Sequence, residues 1–112
     1  MAYDEVLAGR IAERLDHPAV TAKKMFGALA FLTNGNMTVG VHADELIVRL
    51  RPDDVAGALE RPGVQPFVVG GRPMRNWVLV AGEMLDDPEL DGWIAQARGY
   101  VDTLPPKRSS GQ

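Results

Sequence analysis

Tyr3, Leu7, Ile11 and Leu15 recur every four residues, with Val6 and Ala12 beside them, which predicts one apolar helical stripe over residues 3–15. Asp4 and Glu5 fall in its first turn, where negative charge suits the helix dipole. His17-Pro18 ends it, because a residue before proline avoids the helical region. The period then changes. Residues 25–33 form an apolar run without helix caps, Asn34-Gly35-Asn36 tolerates positive φ, and residues 37–41 alternate again, so a β-hairpin is predicted. After a turn at His42-Ala43-Asp44, residues 45–51 read as the third strand of a meander. Leu46, Val48 and Leu50 share one face of it, and Ile47, Arg49 and Arg51 the other.

Pro52 suits the first position of a short second helix, with Asp53 and Asp54 in its first turn, Val55, Ala56, Ala58 and Leu59 as its apolar side, and Pro62-Gly63 as its stop. Residues 66–69 make a weak strand, Gly70-Gly71-Arg72-Pro73 a turn, and residues 76–81 a stronger strand with Trp77 and Leu79 opposed to Val78 and Val80. Asp87 as N-cap and Pro88 at the first position open a third helix, whose apolar side is Leu90, Trp93, Ile94, Ala97, Val101 and Leu104, and Pro105-Pro106 closes it. The predicted order is α-β-β-β-α-β-β-α, an α+β domain of helices packed on an antiparallel sheet. Residues 1–104 form the domain and residues 105–112 a polar tail expected to be disordered.

A length of 112 residues allows one domain, about 13 Å in radius of gyration. With 46% hydrophobic residues it can bury about two thirds of its unfolded surface without metal or disulfide staples. The absence of cysteine removes disulfides, thiolate metal sites and cysteine nucleophiles. The acidic N-terminus and the lack of a long apolar run predict no signal peptide, no membrane span and a cytoplasmic location.

Candidate chemistry is sparse. His17 and His42 have no ligand partner at helical spacing, so they read as turn or surface residues, and no metal or other cofactor is expected. No G-x-S-x-G elbow is present. Asp44-Glu45 reads as a turn, and Asp53-Asp54 and Asp86-Asp87 as helix starts rather than acid–base pairs. Gly70-Gly71-Arg72 leads into proline and a strand, which suits a hairpin turn better than a phosphate cradle. Met25, Phe26, Phe31, Met37, Met74 and Trp77 suit either core or a sticky surface.

Charge is more informative. The formal net charge is −3, unlike a strongly basic duplex-DNA binder. Residues 17–82 nonetheless carry seven Lys/Arg against five acids. Lys23, Lys24, Arg49, Arg51, Arg72 and Arg75 are therefore a candidate patch for an anion or a partner, with solubilising charge on a sheet face as the plain alternative.

Lys24-Met25-Phe26-Gly27, Phe31, Asn34-Gly35-Asn36-Met37, Pro66-Phe67, Gly71-Arg72-Pro73-Met74, Trp77-Val78 and Leu90-x-x-Trp93 occur in that order. Over roughly residues 3–104 this resembles the TfoX/Sxy N-terminal domain family, although Ala28 stands where the family has a second glycine after Met-Phe-Gly. The resemblance implies a secretion-chaperone-like α-β3-α-β2-α fold and a bacterial regulator. The family's best-known members promote natural competence with the cyclic-AMP receptor protein. It carries no catalytic residues, and it implies a single-domain member lacking their C-terminal domain.

The leading expectation is a non-enzymatic regulatory or protein-interaction module, with another protein such as transcription machinery as partner, or a second copy as a homodimer. The alternatives are nucleic-acid binding through the Arg/Lys patch, and a small anionic-ligand-binding or enzymatic domain.

Overall fold

A computed structural model describes residues 3–25 and 27–106. Phe26 and residues 107–112 of the expected tail lie outside the described residues. The elements are α1 (Glu5–Arg14), β1 (Val20–Met25), β2 (Ala28–Thr33), β3 (Asn36–His42), β4 (Glu45–Arg49), α2 (Pro52–Leu59), β5 (Val64–Val69), β6 (Arg72–Val80) and α3 (Asp87–Val101), with a short 3₁₀ turn at Gly82–Met84. The α+β class, with three helices on an antiparallel sheet, is as the sequence predicts. The sheet holds six strands, in the order β1-β2-β3-β4-β6-β5.

The additional strand is β1. Its four central residues, from Thr21 to Lys24, are exposed, so no apolar alternation marks it. It exists because β2 offers a free edge, to which it pairs from Val20↔Thr33 to Met25↔Ala28. Lysines on such an edge also discourage further strands from adding.

The hairpins form where the turn chemistry placed them. Asn34 and Gly35 both take positive φ, 52° and 82°, and so do Gly70 and Gly71, 59° and 79°. Two successive positive φ values match a two-residue turn to the strand twist. β6 lies between β4 and β5, because α2 carries the chain across before the last hairpin returns.

All three helices cover one face of the sheet. Leu7, Ile11, Val39, Val41, Leu46, Val48, Leu50, Val78, Val80, Leu90 and Trp93 form the core there. Val6 and Ala12 do not join it. Val6 is 74% exposed and Ala12 is exposed, since each is rotated about 100° from a buried neighbour. Asp4 caps α1, its Oδ1 accepting from the Val6 and Leu7 amides at 2.9 and 3.2 Å. At α3 the cap is Asp86, which accepts from the Glu89 amide at 2.9 Å, one residue earlier than predicted.

That shift frees Asp87 for another task. Its carboxylate accepts from Arg10 and Arg14 of α1, each at 3.0 Å, while Asp91 accepts from Arg14 and the Leu85 carbonyl accepts from Arg10. The hydrogen bond from Arg10, reinforced by its charge, holds the Asp87 carboxyl below the ordinary aspartate range. The carboxylate cluster at this helix start thus ties α1 to α3. The Cα radius of gyration is 13.1 Å, as expected for this length. Among the described residues, no helix is long and apolar enough to cross a membrane.

Candidate functional site

Among the described residues, no layer covers the sheet face away from the helices. Strand register fixes what it presents. One row runs Lys23, Ala30, Gly40, Ile47, Leu79, Gln65 across all six strands. Beside it, Met25 pairs with Ala28 and His42 with Glu45 on one side, and Arg49 pairs with Trp77 on the other.

A register shift between β2 and β3 falls opposite Thr38. It sends Thr38 to the helix side, where its Oγ1 lies 3.0 Å from that of Thr33, and brings Met37 to the open side. Ala28 and Ala30 have short side chains and leave a groove beside them, while Met37 folds over Gly40. The groove measures about 740 Å³ and is mostly apolar, with Ile47 and Leu79 in its floor and Met25, Met37, Met74 and Trp77 in its walls. The β5–β6 arm flanks it, and there Val68, Val69 and Met74 are 54%, 51% and 39% exposed.

The methionines and Trp77 that sequence left between core and surface therefore line a surface groove, whereas Phe31 belongs to the core under the helices. The small residues of the floor carried no sequence signal by themselves. Only the register sets Ala30 beside Gly40.

The six cations do not form one patch. Lys23 and Lys24 sit on edge strand β1 and alternate between faces, with Lys23 on the open side by register. β6 is four strands away, about 19 Å along the sheet. Arg49 and Arg51 do come together, their guanidinium carbons lying 5.8 and 5.7 Å from the centre of the Tyr100 ring. Arg49 also stacks on Trp77 at 5.4 Å. Arg75 lies one register step beyond that pair, and Arg72 about 10 Å further along the strand. Arg72 and Arg75 are exposed.

Arg49 is half-buried. Its Nη1 donates to the Met37 carbonyl at 3.3 Å, and its buried Nε has no partner. No carboxylate pairs with any of the six cations among the described residues, where the four ion pairs all tie helix α3 to its neighbours.

His17 Nδ1 accepts from the Ala19 amide at 3.0 Å, which makes it a turn residue. His42 is exposed beside Glu45 at one end of the groove. Among the described residues, no group of His, Asp or Glu side chains is arranged to hold a metal.

A crystal structure of a protein from Pseudomonas syringae is similar in fold, with a TM-score of 0.65 at 13% identity over 87% of this chain and 97% of that one. No curated protein matches the sequence. The model of the TfoX N-terminal domain matches residues 13–99. The chain belongs to the TfoX N-terminal domain family.

Proposed function

We propose that this chain is a non-enzymatic regulatory module that works by docking another protein, in the manner the family resemblance suggests for bacterial regulators. One observation carries the reading: the uncovered sheet face with its exposed apolar arm of Val68, Val69 and Met74. Apolar side chains at the tip of a two-stranded arm cost solvation and add nothing to the core, which is the pattern of a docking element. Of the acids, Asp4 and Asp86 are occupied as helix caps, and Asp87, Asp91 and Glu89 in ion pairs with Arg10, Arg14 and Arg61.

Affinity capture from the native extract tests it, with the wild type and with Val68→Asp plus Val69→Asp side by side at low and high salt. The expected result is one protein retained at high salt by the wild type and lost by the variant. Identical capture by both chains overturns the reading. Nucleic acid retained only at low salt favours a second reading, nucleic-acid binding, whose support is the unpaired Arg49–Arg51 pair on Tyr100.

A further inference from the structure

The groove on the open face has the dimensions and lining of a small-molecule site rather than of a flat contact surface. Its 740 Å³ lies within the range of about 300–1,000 Å³ typical of ligand pockets, and its walls are apolar with few polar groups. The hollow is built into the register. Ala28 and Ala30 line it from alternate positions of β2 where larger side chains would close it, and Ile47 lies in its floor at 2% exposure. Three methionines from three different strands wall it, and unbranched thioethers adjust to the shape of an occupant. Met37 already lies over Gly40, since a Cβ there would come within 2.9 Å of its terminal methyl.

Charge gives the groove a direction. Glu45 and His42 lie at one end, and Trp77 walls the other with Arg49 stacked on it. Glu45 and Arg49 are four residues apart on one strand face, about 13 Å. Arg49 holds one long hydrogen bond and a buried Nε without a partner, and among the described residues no carboxylate pairs with it. Lys23 adds a second cation on the same face. An extended peptide would pair with a strand edge instead, but β1 carries lysines there and β5 carries Pro66 and a register shift.

From this we infer that the open face binds a small amphipathic anion, an acyl or aryl carboxylate whose apolar body lies over Ala30, Ile47 and Leu79 and whose head sits at the Trp77–Arg49 end. The site goes beyond the docking reading and does not depend on it, because the purified chain alone suffices to test it.

The test titrates the purified full chain with decanoate, decanol and decyltrimethylammonium, following the indole N–H resonances of Trp77 and Trp93. Decanoate is expected to shift Trp77 saturably while the buried Trp93 stays put, with decanol about tenfold weaker and the cation weaker still. Ala28→Trp, which fills the groove from a half-buried rim position, should abolish binding. Arg49→Gln should remove the preference for decanoate over decanol. The probe series on the wild type stands whether or not either variant folds. Equal affinity for the three probes, shifts confined to another surface, or no saturable binding overturns the inference. So does displacement of nothing but an acidic amphipathic peptide, which would assign the groove to a macromolecule. Val68 and Val69 line this groove as well, so the two readings are told apart by the probe: a small carboxylate bound by the purified chain here, a protein retained at high salt there.

Discussion

The two faces of this sheet are made from the same strands by alternation, yet they are built to different specifications. On the helix side, Leu46, Val48, Val78 and Val80 are 0–1% exposed and meet Trp93 and Leu90 in a sealed layer. On the other side, Ile47 and Leu79 share a row with Ala30 and Gly40, and the groove that Trp77 walls opens to water. Equal hydrophobicity along a strand therefore does not mean equal function. The sealed face supplies stability, and the hollow face trades packing for access.

The sharpest way to break this comparison is to truncate one tryptophan on each side. Trp93→Ala should cost about 3–5 kcal/mol, because the ring is 1% exposed and also carries Arg61 stacked at 4.3 Å. Trp77→Ala should cost about 1–2 kcal/mol, since that ring is only partly buried. Urea unfolding of both variants measures this, and equal losses would mean the open face is a second core.

Adjacent residues on β4 refine the contrast. Leu46→Ala should cost about 2–5 kcal/mol, because it leaves a closed cavity. Ile47→Ala, although nearly as buried, should fall at or below about 2 kcal/mol, since Met37 can slump into a space that opens to solvent. Thermal or denaturant midpoints decide it, and a reversed order would place the sealed layer on the wrong side.

Arg49 and Arg51 extend the same logic to charge. Arg51→Ala should change stability by less than about 0.5 kcal/mol, whereas Arg49→Ala should cost about 1–2 kcal/mol through lost stacking on Trp77 and Tyr100. Equal effects in chemical denaturation would remove the distinction between a built-in cation and a surface one.

The smallest expected effect lies in the α1–α3 clasp. Asp87 titrates below its ordinary value of 3.8 when folded, so its ion pairs stabilise the protein fully above that value and fade as pH falls through the lower folded one. Asp87→Asn should lose that small contribution at neutral pH, flatten the stability–pH curve below about pH 5 and converge with the wild type in acid. An unchanged acid limb in the variant would show that the clasp contributes nothing.

Much of the fold was legible locally. Asn34-Gly35 and Gly70-Gly71 encode their turns by tolerance of positive φ, and β4 and β6 announce both faces by alternation. Strand β1 was not legible, because an edge strand with Lys23 and Lys24 exposed looks like a polar loop until β2 gives it a partner. The cap of α3 slipped by one residue for a similar reason: Asp86 and Asp87 are alike in sequence, and only the arginines of α1 distinguish them.

Local sequence is enough for an α+β chain, its helices, the Asn34-Gly35 and Gly70-Gly71 turns and the two faces of β4 and β6. These are local properties of period and backbone preference. Tertiary structure alone decided that Ala30, Gly40, Ile47 and Leu79 share one row, that Arg49 meets two aromatic rings, and that the six cations divide rather than gather. Those depend on register and strand order, which join residues far apart in the chain and are set by how the whole sheet buries its other face.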